Sequence, residues 1–219
     1  MRINKFIALH SSLSRRAADQ AIANGQVQVN GQPASPGQDV GEGDIVLLKG
    51  QPLAAAAPPQ TIMLNKPIGY VVSREGQGSK TVYELLPADL QQLQPIGRLD
   101  KNSSGLLLFT NDGQLAYQLT HPSFQKIKIY EVLLDKPLAA LHHQLICDIG
   151  VTLEDGPSKL ALEKLDQSAT AWRVIMHEGR NRQIRRTFAA LGYDVQKLHR
   201  TQFGDYQLAG LASGELHRI

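Results

Sequence analysis

A break in composition between Lys49 and Thr61 limits the possible folds more than any other feature of this chain. The stretch KGQPLAAAAPPQT is rich in Ala and Pro, carries Lys49 as its one charge, and repeats at neither the helical nor the strand period. It reads as a linker over residues 50–60, between a module at 1–49 and a larger body at 61–219. A module of that size is thin for a core of its own. The rest of the 219 residues, 42% hydrophobic overall, can bury a sizeable one.

The small module has a clear local grammar. Phe6, Ile7 and Leu9 mark a first short helix, and Ser14 is placed to cap a second over Arg15–Ala23, stopped by Asn24-Gly25. Val27 and Val29 alternate into Asn30-Gly31, a strong two-residue hairpin signal, and a further strand is expected at Asp44–Leu48. Arg2, Lys5, Arg15 and Arg16 all fall on the helical half. They make either a phosphate-gripping surface or an ordinary solubilising one.

In the larger body, Met63-Leu64 and Tyr70–Val72 are expected as short strands around a Lys66–Gly69 turn, with a short helix near Thr81–Leu86. The run Leu106–Phe109 is apolar at every position, as a strand buried on both faces would be. A helix over Gln114–Leu119 ends at His121-Pro122, and Leu138–Cys147 has helical character. Alternation puts Lys128, Tyr130, Val132 and Leu134 on one strand face, and Trp172, Val174 and Met176 on another. Asn181 is placed to cap a helix with Ile184, Phe188 and Leu191 as its apolar stripe and Gly192 as its stop. Strands and helices do not alternate regularly. The expected class is therefore α+β, with a mixed, mainly antiparallel sheet flanked by helices rather than a doubly wound fold.

Charge narrows the partner. Residues 173–200 carry seven basic side chains against two acidic ones, within a net charge of +3. Arginine offers a planar fork to phosphate, so a polyanion is one explanation and a solvated face the other. The opening residues do not read as a signal peptide and no apolar stretch is long enough to span a bilayer. The single Cys147 fits a reducing compartment. The expectation is a cytoplasmic protein without membrane attachment.

Several chemistries lack their residues. His143 and Cys147 share a helix face, but two ligands do not make a metal site. The stretch GQGSKT lacks the Gly-x-x-x-x-Gly-Lys spacing of a phosphate loop, no Gly-x-Ser-x-Gly elbow occurs, and Asp100 has no evident second carboxylate. What remains is Asp100 in PIGRLDKNSSG, a tyrosine on a strand, and a cluster of arginines. An Asp before a Gly-containing bend is usually a turn or cap residue, and the alternative is a nucleophile.

Four segments in this order, LNKPIGY (Leu64–Tyr70), GRLDKNSSGLLLFTNDG (Gly97–Gly113), KIY (Lys128–Tyr130) and EGRNRQIRRTF (Glu178–Phe188), resemble the RsuA-type bacterial ribosomal RNA pseudouridine synthases, as does the trailing KLHRTQFGDYQLAGLASGE (Lys197–Glu215). The N-terminal module resembles the small RNA-binding domain first seen in ribosomal protein S-four. The resemblance implies isomerisation of uridine to pseudouridine in ribosomal RNA or an assembly particle, by a monomer without cofactor or metal. It implies Asp100 as nucleophile, Arg185 as its ion-pair partner with Arg98 as local competitor, and Tyr130 stacked on the target base. Ile184 would wall the pocket. Lys66, Arg15, Arg16, Arg180, Arg182, Arg186, Lys197 and Arg200 are the remaining candidates for RNA contacts. Asn4 and Thr187 depart from the family pattern, Asn4 from an aspartate and Thr187 from a bulkier apolar residue. The alternative reading is an RNA-binding or ribosome-assembly protein that keeps the fold without catalysis.

Overall fold

The computed structural model describes residues 1–11, 13–53 and 57–219, so Ala54–Ala56 of the expected linker lie outside the described residues. The chain forms two compact units, Met1–Pro59 and Gln60–Ile219.

In the first unit, helices α1 (Ile3–His10) and α2 (Arg15–Ala23) precede strands β1 (Val27–Val29), β2 (Gln32–Pro33), β3 (Val46–Leu48) and β4 (Gln51–Pro52). Ser14 caps α2, its hydroxyl accepting from the Ala17 amide at 3.1 Å, and Gly25 leaves the helix at φ +68°. Asn30 and Gly31, both at positive φ, join β1 to β2 as the two-residue hairpin turn requires. The sheet runs β2-β1-β3-β4. It therefore extends past Lys49: Gln51 and Pro52, expected in the linker, pair with β3, and Leu53 packs on the core of Ile3, Ile7, Ile22 and Val27. Asn4 donates to both carboxylate oxygens of Asp19, at 2.9 and 3.1 Å, which gives it a local partner across the helix pair.

The second unit is built on β5 (Thr61–Lys66), β6 (Gln94–Ile96), β7 (Ser104–Thr110), α3 (Gly113–Thr120), β8 (Lys128–Leu134), α4 (Ala140–Gln144), β9 (Val151–Leu153), β10 (Gly156–Ser158), β11 (Ala161–Lys164), β12 (Ala171–Met176), α5 (Gln183–Ala189), β13 (Val195–Phe203), β14 (Tyr206–Gln207) and β15 (Leu216–Arg218). Its main sheet runs β11-β12-β8-β13-β7-β5-β15, with β6 on β7, β14 on β13, and β9 and β10 forming a separate hairpin. The β13–β7 pair is parallel and its neighbours are antiparallel, so the sheet is mixed and mainly antiparallel as expected.

The apolar run of β7 has a direct cause. Leu107 and Phe109 join the core with Leu64, Val132 and Phe188, while Leu106 and Leu108 join a second cluster under α3 with Leu119 and Phe203. Both faces are covered, so every position is apolar. In β8 and β12 one face is covered, and the burial alternates. Tyr70–Val72, expected as a strand, contributes a single bridge between Val71 and Thr81. β5, across the turn from it, is already flanked by β7 and β15, so no edge of β5 is left for it.

Gly105 is needed at the parallel junction. It has φ +106°, and a Cβ there would lie 2.2 Å from the carbonyl oxygen of Arg200. The close approach brings the start of β7 against β13, which fixes the loop just before β7 relative to the rest of the sheet.

Candidate active site

Asp100 lies in the loop from β6 to β7. Its carbonyl oxygen accepts from the Ser103 amide at 3.0 Å and from the Lys66 ammonium at 3.2 Å. Lys66 is fully buried and also donates to the carbonyls of Pro67 at 2.9 Å and Ser103 at 2.8 Å. Burial pushes its pKa down to about 8, with the nearby Asp100 charge acting in the opposite direction. A side chain with no exposed surface cannot touch RNA, which corrects the expectation for Lys66. It is a strut beneath the loop.

The Asp100 side chain, 35% exposed, opens into a cleft of about 800 Å³. Tyr130, Ile184, Leu198 and Met176 supply its apolar wall, and Arg98, Arg180, Arg182 and Arg200 also line it. Tyr130 is 8% exposed and stands on β8 opposite Val174 and Arg200. Ile184 and Phe188 fill the core from α5. Arg98 is exposed at the rim.

The arginines of Glu178–Phe188 divide by partner. Arg182 carries the ion pair with Asp100, its Nη1 lying 3.5 Å from Oδ2. Arg185, the expected partner, gives its guanidinium to backbone oxygens instead, Val195 at 2.6 Å and Asn102 at 2.8 Å. Burial and the positive charge of Arg182 lower the pKa of Arg185, while Asp100 raises it, so Arg185 senses the carboxylate without bonding to it. Arg180 and Arg186 both bind Asp155, at 2.9 and 2.7 Å, and Arg180 also donates to the carbonyls of Asp155, Gly156 and Pro157. These two clamp the β9–β10 turn to α5. Both were expected at phosphate, and in this structure their terminal nitrogens are engaged by Asp155 and the hairpin carbonyls.

Arg200 is 2% exposed, donates to the Leu106 carbonyl at 2.8 Å and lies over the Phe203 ring. It belongs to the cleft floor, not to an outer surface. Its Nη2 is buried without a partner among the described residues. Lys128, which also lines the cleft, has its pKa lowered by burial and then by Arg200. Lys197 is exposed but lies outside the cleft lining, and strand alternation sends it to the face opposite Leu198. Arg15 and Arg16 are exposed on α2 of the first unit.

Asn181 does not cap α5. The helix starts at Gln183 after Arg182, whose φ of +47° is left-handed, and the turn closes instead through the Arg180 amide donating to Gln183 Oε1 at 3.1 Å. Thr187 is buried and donates to Ser158 at 2.7 Å, which explains a polar residue at that position. Gln183 joins the same network through Ser158 at 3.1 Å and through Glu178. Leu198 and Lys128 were missed as site residues. The available signal was spacing, each standing two positions before Arg200 and Tyr130 on one strand face. Among the described residues no cluster of His, Cys, Asp or Glu is arranged to hold a metal.

Comparisons agree with this architecture. A family model described as RNA pseudouridylate synthase matches residues 60–190, and one for the S4 domain matches residues 1–46. The chain belongs to the RNA pseudouridylate synthase family and carries an S4 domain ahead of it. It is 38% identical over 225 residues to a Pasteurella multocida protein named ribosomal small subunit pseudouridine synthase A, covering all of this chain and 96% of that one. It is 39% identical over 220 residues to a Xylella fastidiosa protein named ribosomal large subunit pseudouridine synthase B, covering 94% of this chain and 46% of that one. The chain thus spans under half the length of that relative. Among solved structures, a pseudouridylate synthase crystal structure matches with a TM-score of 0.72 and 32% identity, covering all of this chain and 96% of that one.

Proposed function

We propose that this protein isomerises uridine to pseudouridine in ribosomal RNA, with Asp100 as nucleophile and no cofactor. The observation that carries the reading is the setting of Asp100. It is a carboxylate held by its backbone from below, facing Arg182 at the mouth of a cleft walled by Tyr130, Ile184 and Leu198, while the other carboxylate of the lining, Glu178, is taken up by Arg180 and Gln183. The names of its relatives point the same way and divide between the ribosomal subunits.

The reaction cleaves the bond between ribose and N1 of uracil, turns the base, and rejoins it through carbon-5; the carbon-5 proton passes to solvent, N1 takes up a proton in its place, and the bond formed by the nucleophile is broken again before release. Product and substrate are isomers, so no second substrate is required. The nucleophile must be ionised when it attacks, whether at the ribose or at the uracil ring. Arg182 sets a positive charge 3.5 Å from the carboxylate, and the Arg185 guanidinium holds the loop behind it through the Asn102 carbonyl. Tyr130 lines the cleft, with a ring to stack on the base and a hydroxyl to assist proton removal as its roles in this reading. A stacked uridine cannot reach Asp100, so the target is extruded, at a cost of a few kcal/mol offset by contacts in the cleft. Arg98, exposed at the rim, is suited to the phosphates that flank it. The exposed Arg15 and Arg16 of the S4 domain supply further phosphate contacts. The protein acts as a monomer in the cytoplasm, where the ribosomal RNA is. Among the described residues no helix is long and apolar enough to cross a membrane.

Ribosomal RNA tritiated at uridine carbon-5 tests this directly. Wild type should release tritium to water, and Asp100→Asn should fold, bind RNA and release none above background. An active Asp100→Asn protein rules out the nucleophile.

A further inference from the structure

The chain has one Trp, six Tyr and five Phe, and nearly all are buried or half-buried. Tyr117, 52% exposed, and Phe124, 44% exposed, are the two exceptions, and they are neighbours. Tyr117 and His121 stand one turn apart at the end of α3, with ring centroids 4.7 Å apart, and Phe124 meets both edge-on at 5.7 and 6.4 Å. The opposite face of α3 supplies Leu115 and Leu119 to the core, so helix packing does not account for the exposed rings.

Their position ties them to the cleft. Thr120, His121 and Pro122 line it together with Asp100, and the Thr120 methyl lies within 3.9 Å of the position a Cβ would take on Gly97, in the loop that carries Asp100. Lys126, ion-paired with Asp205 at 3.7 Å, lines the cleft together with His121 and Pro122. The group has an internal brace, because the His121 ring nitrogen Nδ1 is bonded to the Ser123 hydroxyl at 2.8 Å. Exposed aromatic faces continuous with a cleft lined by basic side chains are what unpaired nucleobases need: a face to stack on, with cations nearby for the backbone.

We propose that Tyr117, His121 and Phe124 form a stacking platform for the unpaired bases that flank the target nucleotide. This rests on the reading of the cleft as the site of RNA modification. The platform holds the single-stranded neighbours while the uridine is turned into the cleft. Because every base has a π-face, it contributes affinity without reading sequence.

The test uses the full chain and fluorescence anisotropy with two labelled strands of about ten nucleotides. One strand is oligouridylate, and the other is an abasic ribose-phosphate strand of equal length. Replacing both rings, Tyr117→Ala with Phe124→Ala, should weaken oligouridylate binding about tenfold and leave abasic binding unchanged. The pair Tyr117→Trp with Phe124→Trp should restore it. Equal losses on both strands, no loss on either, or no oligouridylate binding by wild type overturn the platform. Tritium release from ribosomal RNA by wild type is measured in parallel. Release alongside unaltered binding by the alanine pair refutes the platform alone. A base-dependent loss without any release supports the platform and refutes the isomerase.

Discussion

Arg182, not Arg185, pairs with Asp100. The Arg182 guanidinium is 3.5 Å from the carboxylate, while that of Arg185 bridges the carbonyls of Asn102 and Val195 and so ties the Asp100 loop to β13. The two arginines act on one carboxylate by different routes, one by charge at its mouth and one by position from behind. Asp100 and Arg182 are 35% and 48% exposed, so their pair adds only about 0.2–1 kcal/mol to stability. Arg182→Gln should therefore leave the urea midpoint nearly unchanged and lower the rate of tritium release. Arg185→Ala strands two carbonyls and should cost about 1–3 kcal/mol in urea unfolding as well as most of the activity. Equal midpoints for the two variants would contradict this division.

Lys66 gives a pH signature. Its pKa falls to about 8 in the folded state against an ordinary value of 10.5. Above pH 8 the folded protein loses this proton before the unfolded chain does, so the unfolded state binds more protons. This group therefore makes stability rise from about pH 8 to about 10.5 and contributes no slope below that window. Lys66→Met should be less stable at pH 7, because three carbonyls lose their donor, and should lack that rising component. Urea midpoints of both proteins across the window check the sign. A parallel pH dependence in the two would show that Lys66 is not the titrating group.

Gly105→Ala tests the parallel junction. A methyl would enter the Arg200 backbone at a φ of +106°, so the strands must part or the backbone must strain. A loss of about 3 kcal/mol or more is expected, read from thermal or urea unfolding. A near-neutral Gly105→Ala would mean that β7 and β13 approach less closely than described.

Much of this was legible in the sequence. Ser14 as a cap and Asn30-Gly31 as a turn are local signals with local causes, and the unbroken apolar run Leu106–Phe109 records in its composition a burial on both faces that distant elements supply. What escaped was non-local. β13 is a nine-residue strand at the centre of the sheet, yet VQKLHRTQF shows no clean alternation, since register shifts at Val195/Lys197 and Arg200/Gln202 break it. The start of α5 was misplaced because Arg182 takes a left-handed conformation that no side-chain preference announces. The arginine roles were hidden for a similar reason. Arg180 and Arg186 find Asp155 on a hairpin far off in sequence, and a charge count does not reveal that a fork is already filled.

That division of the arginines separates affinity from architecture. Arg15 and Arg16 are exposed on the S4 domain, and among the described residues the Arg15 guanidinium donates to Asn4 at 3.3 Å, so both present charge to solvent. Replacing both by Gln should weaken RNA binding uniformly across sequences and flatten the salt dependence by about two phosphates' worth of slope. Arg186→Gln should instead leave the salt slope as in wild type and lower the unfolding midpoint, because Asp155 loses a bidentate partner at 2.7 and 3.0 Å. Anisotropy titrations at several salt concentrations, paired with urea unfolding, distinguish the two groups. A flattened slope for Arg186→Gln would mean that RNA displaces Asp155 from the clamp, and the hairpin would then belong to the binding surface after all.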